Sequence, residues 1–147
     1  RANLMWCATM ALNGLIGAGV PQDWSTHAIG HELTALFGLD HAQTLAIVLP
    51  ATMIVRKQEK KEKLLQYADR IWGIRGDNAD EVIQQAIDKT IAFFGSIGLG
   101  SKLSAYNIGP EHFPEIAAKL LKHGMTGIGE NGSVTLKTCE EILHTAL

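Results

Sequence analysis

Three of the six histidines in this chain crowd into one stretch, HAIGHELTALFGLDH, as His27, His31 and His41. A neutral imidazole donates a lone pair to a divalent ion and exchanges protons near neutral pH, so a histidine cluster points to metal or proton chemistry. His27 and His31 are i and i+4, which puts them on one face of a helix about one turn apart. Gly38-Leu39-Asp40 turns the chain, so His41 can return to that face. It would then lie in the first turn of its own helix, where the positive end of the helix dipole disfavours imidazolium. Three neutral histidines converging across a helix–turn–helix would form a divalent-metal half-site. The spacing alone also accommodates a chance surface pair and a hydrogen-bonded core histidine. Glu32 adds little, because it points about 100° away round the helix. HELTA also lacks the second histidine of a zincin helix. His112, His123 and His144 fall near helix ends and read as structural.

Other patterns exclude chemistry. Gly95-SIGL-Gly100-Ser101-Lys102 has the glycines of a phosphate loop, but the order is G-S-K and it follows a helix, so it reads as a helix end and loop. No G-x-G-x-x-G opens a βαβ unit and no G-x-S-x-G elbow occurs. Cys7 and Cys139 lie far apart outside any CxxC spacing, as small buried residues of a reducing, cytoplasmic compartment would. Trp6, Trp24 and Trp72 read as core or interface anchors, and Trp24 can also wall a pocket beside His27. Thirteen Lys and Arg against fifteen Asp and Glu leave no basic face for nucleic acid. The mixed run Arg56 to Lys63, RKQEKKEK, reads as a solvated helix face. The longest apolar stretch, Leu45 to Val55, is interrupted by Pro50 and Thr52 and falls short of the roughly 20 residues that cross a bilayer.

The elements that must position these histidines are helical. Apolar residues make up 46% of the chain and charged residues 19%, enough for a sizeable core. Apolar steps of three and four predict helices over 2–16, from Trp24 to Gly38, from His41 to about Lys57 with a kink at Pro50, and over Glu59 to Trp72. Further helices are expected after Asp77 or Asn78 through Phe94, from Pro110 to Gly124, and from Thr135 to Leu147. Ser133 to Leu136 is the only β-like segment and is too short to seed a sheet. The expectation is one all-α domain, a multi-helix bundle of about seven helices.

The segment from Gly17 to Pro50, GAGVPQDWSTHAIGHELTALFGLDHAQTLAIVLP, resembles the iron-containing (type III) alcohol dehydrogenase family, in its NADPH-dependent aldehyde reductase or butanol dehydrogenase branch. The likeness continues through KLLQYADRIWGI and HGMTGIGENGSVTL and so covers essentially the whole chain. It implies a dehydroquinate synthase-like C-terminal helical domain over 1–147. The N-terminal α/β domain of the family, with its Gly-rich nucleotide loop, does not precede Arg1, so the resemblance reads the chain as a fragment that is inactive alone. In the family an Asp and three His hold the metal. The resemblance maps two of these ligands onto His27 and His41 and a proton-relay or substrate-orienting role onto His31. It implies a divalent metal (Fe or Zn) and NADP(H) as cofactors, a small aldehyde or alcohol as substrate, and a possible homodimer. The usual Pro-His-Gly around the third histidine is Asp40-His41-Ala42 here. Two alternatives stand beside this reading: a glycerol dehydrogenase-like or dehydroquinate synthase-like metal enzyme, and a non-enzymatic helical scaffold with structural histidines.

Overall fold

The computed structural model describes residues 1–147. Its seven α-helices are α1 (Ala2–Leu12), α2 (Ser25–Phe37), α3 (His41–Val55), α4 (Lys61–Trp72), α5 (Ala79–Ser96), α6 (Phe113–Lys122) and α7 (Leu136–Thr145). Their ends follow from local chemistry. Gly38 and Gly73 adopt left-handed conformations (φ 69° and 65°) that stop α2 and α4, which glycine does without a Cβ penalty. Asp40 and Gln43 form a reciprocal capping box at the start of α3, while Asn78 and Thr135 cap α5 and α7 with side-chain oxygens. Each arrangement satisfies backbone donors that a helix start leaves free. Pro50 lies inside α3, which continues through it to Val55.

The main core is built where α2, α3, α6 and α7 meet. Ile29 and Leu33 of α2, Ile47 and Val48 of α3, Phe113, Ile116 and Leu120 of α6, and Ile142 and Leu143 of α7 are all fully or almost fully buried. The α4–α5 pair seals itself with Leu64, Ala68, Val82, Ile83, Ala86 and Ile87, and Met53 of α3 packs against it. Burying side chains of this size contributes roughly 1.5–3 kcal/mol each against exposure.

Four expectations need correction. The first helix ends at Leu12, because Asn13 accepts the Leu15 N–H and Gly14 turns left-handed (φ 85°); a short 3₁₀ turn follows at Leu15–Gly17. No residue of α1 is buried, so Cys7 lies at the surface rather than in a core, and of the two roles expected for Trp6 only that of an interface anchor fits its exposure. Trp24 is likewise half exposed. The β-like segment does find a partner: β2 (Val134–Thr135) pairs antiparallel with β1 (Gly127–Ile128), a two-rung ladder closed by the tight 129–133 turn. The charge run from Arg56 to Lys63 is the junction between α3 and α4 and the start of α4, and Arg56 is only 7% exposed. No helix is long and apolar enough to cross a membrane.

Candidate metal and proton-transfer site

The bend at Gly38-Leu39-Asp40 sends α3 across the middle of α2. The crossing is close because Gly30 faces Thr44: a Cβ built on Gly30 would stand 2.9 Å from Thr44 Oγ1. His27 and His31 flank Gly30 on α2, and His41 opens α3 one turn before Thr44. This packing brings the three imidazoles together. Ring centres stand 5.2 Å apart for His27 and His41, 5.5 Å for His31 and His41, and 6.1 Å for His27 and His31. Trp24 meets the His27 ring edge-on at 4.8 Å. Both line an open pocket of about 300 Å³ with Leu12, Ile16, Val20 and Asp23.

The donor set fits a divalent ion as a half-site. Each ring nitrogen binding such an ion lies about 2.1 Å from it, which places two coordinated rings roughly 5 Å apart at a tetrahedral angle. His27 and His41 match that spacing. Burial, and then the neighbouring His41 and His31, hold His27 below the ordinary imidazole value of 6.5, so its lone pair is available near neutral pH. No group of three or more His, Cys, Asp or Glu side chains is arranged to enclose an ion by itself. The cluster also opens to the surface: His31 and His41 are exposed. Two nitrogens with an open side are what a shared site contributes from one of its walls.

The remaining expected positions divide cleanly. Glu32 does face away from the histidine cluster, and it is 5% exposed with Oε1 accepting from His123 Nδ1 at 2.6 Å. His123 is therefore the partner of a buried carboxylate. His112 and His144 meet Phe37 and Phe113 edge-on. The Gly95–Lys102 segment is the end of α5 and the loop after it.

Sequence reasoning missed an ion-pair node beside the site. Asp23 accepts from the Ser25 N–H at 2.9 Å and the Ser25 hydroxyl at 2.5 Å, at the start of α2. Its other oxygen pairs with Lys60 Nζ at 2.7 Å, and Lys60 also pairs with Glu130 at 3.0 Å. Arg56, four residues before Lys60, donates to the Ser133 carbonyl and hydroxyl at 3.2 and 2.7 Å. The only trace in the sequence is the position of Arg56 and Lys60 in a mixed-charge run, which has the same composition as a solvated face.

A family model for the C-terminal part of the Fe-containing alcohol dehydrogenase family matches residues 1–147. The chain is 54% identical over 146 residues to the NADPH-dependent aldehyde reductase YqhD of Escherichia coli, covering 99% of this chain and 38% of that protein. It is 32% identical to NADH-dependent butanol dehydrogenase A of Clostridium acetobutylicum over 98% of this chain and 37% of that one. Among solved structures, the substrate- and cofactor-free E. coli aldehyde reductase superposes with a TM-score of 0.97 at 53% identity, over all of this chain and 39% of the other. Butanol dehydrogenase A of Thermotoga maritima superposes with a TM-score of 0.90 at 29% identity, over 99% of this chain and 38% of that chain. The chain thus spans well under half the length of these relatives.

Proposed function

This chain belongs to the Fe-containing alcohol dehydrogenase family, as a C-terminal helical domain, and from that premise we propose that the protein it serves in transfers hydride between NADP(H) and small aldehydes or primary alcohols. The convergence of His27 and His41 at 5.2 Å, on two helices locked together at Gly30, carries the reading. His27 and His41 would hold a divalent metal, Fe or Zn, both of which imidazole accepts. Such an ion supplies Lewis-acid polarisation of a carbonyl oxygen. His31, exposed on the same face, would hold the proton that the alcohol oxygen gains or gives up. Trp24 and the apolar side chains around it would exclude water from the His27 side of the pocket.

An N-terminal α/β domain would supply the nucleotide platform and the remaining ligands. Residues Leu4, Met5, Trp6, Leu12, Leu15 and Ile16, all exposed, form the apolar surface that such a domain would cover. NADP(H) rather than NAD(H) follows the aldehyde reductase at 54% identity; the butanol dehydrogenase relative is named for NADH. A cytoplasmic location is supported by two cysteines that are free and unpaired. A homodimer belongs to the same proposal.

The test uses the whole protein. His27→Ala and His41→Ala are expected to remove bound metal and turnover together. His31→Ala is expected to keep the metal and slow turnover by a factor of about 10²–10⁴, the range for a lost proton-transfer group. Metal analysis beside steady-state kinetics reads both. Loss of metal from the His31 variant as complete as from the His27 variant overturns the division of roles.

A further inference from the structure

We propose that Lys60 is a positioning residue for the histidine cluster: it clamps the entry to α2, through Asp23, onto the 129–133 turn, and so fixes where His27 points. The inference rests on the reading of His27 as a metal ligand.

None of residues 1–24 is buried, so α1 and the loop after it provide no packing that locates the helix start. The first residue of α2, Ser25, is nevertheless fully buried. Its N–H and hydroxyl are both taken by one oxygen of Asp23. Asp23 thus sets the first turn of α2, in which His27 is the third residue.

Asp23 is itself held from the opposite side. Lys60 reaches its second oxygen at 2.7 Å, and both side chains are largely shielded, 18% exposed for the lysine and 15% for the aspartate. Lys60 carries Glu130 as a second anionic partner at 3.0 Å. That partner stands on a turn which cannot drift, because Arg56 grips Ser133 at its far end. The turn also passes close to Asp23: a Cβ built on Gly129 would lie 3.3 Å from Asp23 Oδ1, at a backbone φ of +77°. Three segments distant in sequence, the α2 entry, the α3–α4 junction and the hairpin turn, therefore meet at one ammonium group. A lysine with two carboxylate partners in a partly desolvated position loses little by being screened, and its geometry passes directly to the helix that bears His27.

Cobalt(II) serves as the probe, titrated into the metal-free whole protein by visible absorption, with hydrogen exchange of the Ser25 and Ala28 amides followed in parallel. Lys60→Met keeps the length and removes the charge; it is expected to weaken cobalt binding about tenfold and to speed exchange at both amides by a similar factor, while Ile87 in α5 is unchanged. Lys60→Arg should rescue both readouts to within about threefold. Should Lys60→Met fail to fold, Asp23→Asn decides, since it leaves an acceptor for Ser25 and removes only the ion pair. Unchanged exchange in the charge-removing variant overturns the inference, and so does faster exchange with wild-type cobalt affinity. Wild-type protein that takes up no cobalt sinks the ligand reading instead, and faster exchange then still supports Lys60 as the anchor of α2.

Discussion

Gly30→Ala is the perturbation that probes the helix crossing most directly. Gly30 is buried between His27 and His31, and the added methyl would lie 2.9 Å from Thr44 Oγ1 and 3.3 Å from Thr44 Cβ. Comfortable contact needs about 3.5 Å or more, so α2 and α3 must separate by roughly half an ångström. Thr44 cannot swing aside, because it is fully buried and its hydroxyl donates to the His41 carbonyl at 2.9 Å. Two effects oppose each other. Alanine gains about 1 kcal/mol over glycine in a helix interior, and overpacking a tight contact costs about 1–3 kcal/mol. The expected net is a loss of up to about 2 kcal/mol, a fall in Tm of a few degrees for a domain of this size. In a Thr44→Ala background the nearest atom is gone and the helix preference remains, so the same substitution should become neutral or stabilising. The four proteins of this cycle, compared by urea denaturation, should give a coupling of about 1–2 kcal/mol. Additivity within about 0.5 kcal/mol, the usual result for independent sites, would falsify the claim that this contact sets the separation of the histidine-bearing helices.

Three further outcomes follow from the structure. His123→Ala leaves the buried Glu32 without its only partner, since Glu32 Oε2 has none; a loss of about 1–3 kcal/mol is expected by thermal denaturation, and a Glu32→Leu, His123→Leu double variant should recover most of it. Burial raises the Asp23 carboxyl, but hydrogen bonds from Lys60 and Ser25 outweigh it and hold the group below its ordinary 3.8. A depressed carboxyl contributes stability above its unfolded value and loses it as pH falls through the folded one. Denaturation midpoints should therefore drop below about pH 4, and Asp23→Asn should flatten that acid limb; an unaltered limb counts against the node. Burial pushes the Cys139 thiol up to about 11, whereas Cys7 is exposed. Iodoacetamide at mildly alkaline pH should label Cys7 alone in the folded protein, as read by peptide mass; equal labelling of both would contradict the burial of α7.

Local rules carried the sequence a long way. Helices α2 to α7 were legible because their apolar steps, their caps at Asp40, Asn78 and Thr135, and their glycine stops act over one or two turns of chain. The pairing of His27 with His31 on one face is a consequence of helical geometry alone, and the bend at Gly38 made a return of His41 foreseeable. Tertiary structure decided everything that depends on which surfaces meet. The close approach of Gly30 to Thr44 sets the 5.2 Å spacing of His27 and His41, and nothing in the local sequence around either residue encodes it. Glu32 finds His123 across ninety-one positions. Lys60 reads as solvated in its charge run because a charge on a surface and a charge in a clamp have the same one-letter code; only the arrival of Asp23 and Glu130 from distant segments separates them. Cys7 errs in the other direction: residue type favours burial, but burial requires a partner surface, and no residue of α1 is buried within this chain.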